Sequence, residues 1–532
     1  MITSVEWRSF LNSNKIEKII EVGEKLWCAS YGGGIVIIDK DKEEMYQLTN
    51  VEGLLNNMIV RVGLDKYGNV WCLCKGKGVT LFSSTLEEVK NFLVVHRIPS
   101  FNFSSLLVTE DEVWIGTYDD KEAIKYDIKT ENPMNTDKWF EKVMVQPSNE
   151  INDIQQIRDS IWFATNKGIG IRGEDGGFRV IDKELPVDTI ISIVEYEGKI
   201  WIATPHGVFR EKEGSWEGMG LIGCRIYGFE KKGNNLYVCT NIGVKEWDGV
   251  TFRETGLNED IKSIVVEKNT LWGGTQWNGV VKYANGLKKY YTLPGPVTNN
   301  LHTLAIDSSG NLWVIPPIPF AHGFHFNNLY FKDGWEWRVY NKNNEWGMTG
   351  GGIVEVLVDS KNNKWLLPFD WTGNTSVIKL LPDGSIKKLK IEGGGLANVI
   401  PAGCIDKEEN VWLGCWDGAL RRIRNDQVDS IIRNEWIVFP QALECDEKGN
   451  IWMGSESGVI IFKTDGKIKR MEEITPAAVT FIKSRKGEII WVGTMQGLYK
   501  LKKEKKEAFF STSPEELGGS PIDLEILDTT MW

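Results

Sequence analysis

Glu488-Ile489-Ile490-Trp491-Val492-Gly493-Thr494-Met495-Gln496-Gly497-Leu498-Tyr499-Lys500 is the stretch against which the rest of this 532-residue chain is read. The run goes polar, two apolar, Trp, apolar, Gly, Thr, a short turn, Gly, then an apolar-aromatic strand. It recurs as Asp111-Glu112-Val113-Trp114-Ile115-Gly116-Thr117, Lys199-Ile200-Trp201-Ile202-Ala203-Thr204, Thr270-Leu271-Trp272-Gly273-Gly274-Thr275 and Asn410-Val411-Trp412-Leu413-Gly414. Weaker copies bring the marker aromatics to thirteen: Trp27, Trp71, Trp114, Trp162, Trp201, Tyr237, Trp272, Trp313, Trp365, Trp412, Trp452, Trp491 and Trp532, spaced 35 to 52 residues apart. A repeat of about 40 residues made of several short strands signals a toroidal array of four-stranded blades.

One unit shows the construction. Ile191 to Glu197 alternates apolar and polar residues and reads as strand a, and Glu197-Gly198-Lys199 turns the chain. Ile200 to Thr204 is strand b, Pro205-His206-Gly207 turns again, Val208-Phe209-Arg210 is strand c, and Gly214-Ser215-Trp216-Glu217 enters strand d. Short alternating runs bounded by Gly, Asn and Asp are half-buried antiparallel strands. Several a–b turns are explicit, as in Asp65-Lys66-Tyr67-Gly68-Asn69 and Asp446-Glu447-Lys448-Gly449-Asn450, where Asp caps the turn and Gly or Asn accepts positive φ. The recurring Trp fills the wedge between neighbouring sheets, and the Gly after it lets the next blade approach.

The expected fold is all-β, tandem β-propellers built from about 40-residue four-stranded repeats, because thirteen markers exceed the four to eight blades of one ring. The first seven markers assign residues 1–295 to a first propeller of about seven blades, ending at Pro294-Gly295-Pro296. Residues 296–532 then form a second of about six, the last incomplete. The chain opens on a d-like segment, Val5-Glu6-Trp7-Arg8-Ser9-Phe10, and stops at the Trp of its thirteenth repeat, so it is expected to be a segment of a longer protein.

Composition narrows the partners. The formal charge of -11 comes from mixed Lys and Glu, which disfavours nucleic acid as a partner. The basic run from Lys500 to Lys506 is interleaved with Glu504 and reads as a solvated strand end. The eight Cys are scattered without metal-ligand spacing. Free buried thiols fit a reducing compartment. No leader-like N-terminus and no membrane-length apolar run is present in the chain as given. The expected localisation is cytoplasmic, or periplasmic or extracellular if a leader lies outside this sequence.

The b–c turns follow each Gly-Thr and are expected at one face, around the channel mouth. Their side chains are the candidate ligand-binding set: Tyr118, His206, Trp277, Asp370, Trp371, Trp416, Asp417 and Glu456. Trp277, Trp371 and Trp416 stand outside the packing position beside Asn278, Asp370 and Asp417, an aromatic–amide or aromatic–acid pairing that suits a sugar ring or another flat polar ligand. The competing reading is that these rings fold over the strand ends. His322 and His325, in the longest insertion, lack a third ligand, and no nucleophile elbow, phosphate loop or zinc-protease motif occurs. No catalytic residue, metal or cofactor is assigned. A propeller-type lyase or glycoside hydrolase would need clustered acids or His that the sequence does not place.

Gly449-Asn450-Ile451-Trp452-Met453-Gly454-Ser455 with Gly458-Val459, and Trp491-Val492-Gly493-Thr494 with Gly497-Leu498-Tyr499, resemble the two-component-regulator propeller repeat. The resemblance covers nearly the whole chain. It implies paired propellers of the kind that sense ligands, many of them oligosaccharides, outside the cytoplasm for hybrid histidine kinases. The family's immunoglobulin-like segment, membrane span and kinase have no counterpart here. The expectation is therefore a noncatalytic sensor-type module related to two-component signalling, with a small-molecule or oligosaccharide ligand. The alternative is a scaffold for a protein partner.

Overall fold

A computed structural model describes residues 11–93, 102–118, 122–293 (except 137, 139 and 149), 295–296, 303–315, 329–333, 336–340, 352–369, 376–511 (except 394, 457, 473, 475–477 and 486–487), 526–527 and 530–531. Among them regular structure is almost wholly strand, the exceptions being two short 3-10 turns at Pro133–Asn135 and Gly395–Asn398. Twelve four-stranded antiparallel sheets follow one another, each a meander in which sequence neighbours pair. The chain is all-β, with tandem propellers. It divides into two compact units, residues 1–299 and 300–532.

The first sheet sets the pattern with β1 (Ile16–Val22), β2 (Lys25–Ser30), β3 (Gly34–Asp39) and β4 (Met45–Leu48). The second and third strands are buried almost throughout, because sheets stack on both of their faces. Outer strands alternate: Gln427–Arg433 exposes every second side chain. The strand-a, b, c and d assignment made from Ile191 onward corresponds to strands at Ser192–Tyr196, Lys199–Thr204, Gly207–Lys212 and Ser215–Gly220.

Marker rings Trp27, Trp71 and Trp114 are wholly buried, as wedges between sheets must be. Trp162 and Trp412 are only half-buried. Five markers are also tied to the turn that precedes them. In Asp65-Lys66-Tyr67-Gly68-Asn69, one oxygen of the Asp65 carboxylate accepts from the Tyr67 and Asn69 amides at 2.9 Å each. Its other oxygen accepts from Trp71 Nε1 at 2.9 Å. The same six-residue lock joins Asp307 to Trp313, Asp359 to Trp365, Asp406 to Trp412 and Asp446 to Trp452. The turn Asp therefore caps the turn, as the sequence indicates, and satisfies a buried indole as well.

The glycine that follows the marker works as a spacer. A Cβ on Gly116 would stand 2.9 Å from Ile151 of the next sheet, and one on Gly454 would stand 2.4 Å from Val479 of its neighbour. Along the channel wall, first strands are stitched sideways: Ser192 Oγ donates to Asp153 at 2.6 Å and Gly403 N donates to Glu355 at 2.6 Å.

The first unit holds seven four-stranded sheets, and their first strands lie side by side in order, the seventh beside the first. At that junction Ile19 N donates to Ser263 Oγ at 3.2 Å and Gly279 N donates to Asn14 O at 2.8 Å. Ile16, Ile19 and Leu26 share a core with Val265, Trp272 and Tyr291. The ring is closed. The second unit shows five four-stranded sheets among the described residues, followed by a hairpin of Ile526–Leu527 and Thr530–Met531. The d-like segment at residues 5–10 lies outside the described residues, as does most of the terminal segment on which the expectation of a longer protein rests.

Candidate functional site

The channel mouth of the first propeller is built by two local devices. The first is the b–c turn. Thr204 Oγ1 donates to Gly207 O at 3.0 Å and Thr240 Oγ1 to Gly243 O at 2.7 Å, and Gly207 takes a φ of 121° that a side chain would resist. The residue after strand b then donates its amide to the carbonyl just before strand a. The bonds are Tyr31 to Lys15 (2.9 Å), Lys75 to Met58 (2.9 Å), Tyr118 to Asn102 (3.0 Å), Asn166 to Glu150 (3.3 Å), Asn241 to Arg225 (3.0 Å) and Gln276 to Asp260 (3.0 Å). Pro205 occupies this position in the fifth sheet and has no N–H to give. These bonds pin the b–c turns to the mouth.

The second device is a β-bulge near the start of strand a. Register slips across Glu17, Val60, Ser104, Asn152, Tyr227 and Lys262 in six of the seven sheets. A bulge breaks the in–out alternation and re-aims its side chain, here at the top of the channel.

Together these devices assemble a polar cluster over the seventh, first and second sheets. Lys262 Nζ donates to both Glu17 oxygens at 2.8 Å, and Lys15 Nζ stands 3.2 Å from the same carboxylate. Lys75 Nζ donates to Tyr31 Oη at 2.8 Å, and Lys15 Nζ lies 4.0 Å from the centre of the Tyr31 ring. Burial alone would push Glu17 up, but the charges of Lys262, Lys15 and Arg61 hold it below the usual carboxylate range. Lys262 is also held low, first by burial and then by Lys15 and Arg61, which together outweigh Glu17. Tyr227, whose ring centre is 5.9 Å from Lys262 Nζ, is pushed up to about 12 by burial and by Asp260. On the far wall Asp153 is raised by burial, and its carboxylate is engaged by Ser192 and two backbone amides.

The eight candidate residues separate in this structure. Tyr118 is on the first mouth at 44% exposure, and Trp277 is one residue beyond the pinned Gln276 at 69%. His206 is exposed on the fifth turn, its amide held by Thr204 Oγ1 at 3.1 Å. These three share one rim. The other five are in the second unit. Glu456 is exposed, and Asp370 and Trp371 lie outside the described residues. Trp416 packs edge-on against Phe369 and Phe439, ring centres 5.2 and 5.1 Å away, which is the folded-over arrangement. Asp417 binds Arg421 at 2.7 Å and Arg433 at 3.2 Å, with Arg421 only 1% exposed, so its carboxylate is held in a structural pair.

Sequence reasoning missed Tyr31 and Lys75, although both follow strand b as Tyr118 does, and it missed Lys15, Glu17, Arg61, Tyr227 and Lys262. The last five are on or beside first strands, where only the bulge reveals which residues turn to the mouth. Among the described residues no group of three or more His, Cys, Asp or Glu could hold a metal ion, and His322 and His325 lie outside them. The eight cysteines are free thiols, seven of them buried. No helix among the described residues is long and apolar enough to cross a membrane.

No protein-family model matches the chain, and no curated protein matches it by sequence. Solved structures do. PorZ, a surface component of the type-IX secretion system of Porphyromonas gingivalis, aligns with a TM-score of 0.70 at 14% identity, over 98% of this chain and 84% of its own. An ancestral GH74 enzyme aligns with a TM-score of 0.64 at 9% identity, over 94% and 85%. The extracellular domain of a hybrid two-component-system protein from B. thetaiotaomicron aligns with a TM-score of 0.43 at 15% identity, over 95% and 71%. The likenesses to PorZ and to the GH74 enzyme show the fold alone.

Proposed function

We propose that this chain is a noncatalytic, sensor-type recognition module that takes a small polar ligand of sugar-like shape at the mouth of its first propeller. The observation that carries this reading is the convergence of Tyr31, Tyr118 and Tyr227 with ionic side chains around one closed channel, beside the open ring of Trp277. Flat rings supply a stacking surface, and fixed polar groups orient what stacks there.

The test is a glycan array probed with the full chain, followed by titration of any ligand found. Trp277→Ala and Tyr118→Ala are expected to weaken binding about tenfold, since a lost stacking contact costs about 1 kcal/mol or more. Their thermal unfolding should stay unchanged. Unaltered binding in both variants would move the site elsewhere, and turnover of a bound glycan would end the noncatalytic reading.

A protein partner is the second reading, favoured by Ile222 and Ile242, 84% and 53% exposed around the sixth sheet on the same rim. Under it Ile222→Asp abolishes binding and Trp277→Ala does not.

A further inference from the structure

The chain carries a net charge of -11, yet one arc of the first mouth reverses that sign. Lys15, Arg61, Lys75 and Lys262 all couple electrostatically to the single carboxylate of Glu17. Lys262 occupies both Glu17 oxygens, and Lys15 stands beside one of them. Arg61 gives one N–H to its neighbour's carbonyl, Val60 O at 2.8 Å, and makes no ion pair among the described residues. Lys75 spends a donor on the Tyr31 hydroxyl. Four bases thus surround Glu17, whose lone pairs are largely taken, with Asp260 beside Tyr227 as a second acid at this end of the mouth.

The directions in which Glu17 and Lys262 are shifted agree with that count. Glu17 and Lys262 form one ion pair, and both are held below their ordinary ranges. Burial is the first influence on each group: it lowers Lys262, with Lys15 and Arg61 adding to it, and at Glu17 it is overridden by the charges of Lys262, Lys15 and Arg61.

We infer that this arc is an anion seat, and that the ligand of the first propeller carries a carboxylate which docks on Arg61, Lys15 and Lys75. The planar guanidinium fork matches two carboxylate oxygens, and the excess positive charge compensates their desolvation. This rests on the recognition reading above and narrows its ligand from polar to acidic.

The experiment is isothermal titration of the full chain with a galacturonic acid oligomer, with the uncharged galactose oligomer of the same length, and with citrate as a carboxylate lacking a sugar ring. The acidic oligomer is expected to bind at least about tenfold tighter than the neutral one, and to weaken as salt rises. Arg61→Gln and Lys75→Gln should each weaken it about tenfold, as the loss of a charge-assisted contact does. Glu17→Gln should tighten it, and Lys199→Gln, at an exposed a–b turn, should change nothing. Thermal unfolding identifies any variant that fails to fold, and either of the two cation variants then suffices.

Competition by citrate supports the seat and shows that a carboxylate is enough. Binding of the oligomer without citrate competition supports it as a sugar-linked acid site. Equal affinity for acidic and neutral oligomers overturns the anion seat and leaves the recognition reading standing. Absence of binding by all three probes overturns the seat, while neutral ligands on the array would still carry the broader reading.

Discussion

Glu17 in the first sheet accepts both of its 2.8 Å hydrogen bonds from Lys262 in the seventh, a contact between residues 245 positions apart. The pair does two things at once: it helps to lock the ring shut, and it places a charge at the channel mouth. Each side chain is only 14% exposed, so removing one partner strands the other in a poorly solvated place. Glu17→Ala is expected to destabilise the protein by about 2–4 kcal/mol. Replacing both residues, Glu17→Leu with Lys262→Met, should cost less than the single change. Urea denaturation of the parent and the two variants checks the order.

Ring closure also depends on a missing side chain. A Cβ at Gly274 would stand 2.6 Å from Ile16 Cγ2, across the junction of the seventh and first sheets. Neither atom belongs to a flexible chain end, so Gly274→Ala must push two sheets apart. The expected loss is about 1–3 kcal/mol, read from the same denaturation curve.

Two tryptophans separate packing from recognition. Trp71 is fully buried and bonded to Asp65, whereas Trp277 is 69% exposed. Trp71→Ala should cost about 3–5 kcal/mol, and Trp277→Ala should stay within about 0.5 kcal/mol. Chemical unfolding distinguishes the two. If Trp277→Ala proves as damaging as Trp71→Ala, the exposed ring is structural.

Asp307 gives a pH signature. Burial would raise its carboxyl, but the Trp313 indole, the Asn311 amide and Lys364 outweigh that and bring it down to about 2 from an ordinary 3.8. An acid whose folded value lies below its unfolded one stabilises the fold above the unfolded value. That contribution fades as pH falls from about 4 towards 2. Asp307→Asn should therefore cost about 2 kcal/mol at neutral pH, and its deficit relative to the parent should shrink as acid titration nears pH 2. A deficit that stays constant across the titration would mean that the loss is one of packing alone.

What the sequence determined is everything that a single sheet determines for itself. The marker Trp, the Asp six residues before it and the Gly-Thr turn after strand b interact within a few residues of one another. The repeat, the four-strand meander and the b–c position of Tyr118 and Trp277 are therefore legible residue by residue. Asp417 shows the limit: read as a free acid in a turn, it is claimed by Arg421 and Arg433, 4 and 16 residues away on strands whose facing the linear pattern leaves open. Only the tertiary structure decided the mouth. Lys15, Glu17, Arg61, Lys75 and Lys262 come from three sheets, and Glu17 and Lys262 are turned to one place by bulges that apolar alternation does not encode. Their shared positive field exists because closing the ring brings its two ends together, and a field that depends on long-range distance cannot be read from spacing along the chain.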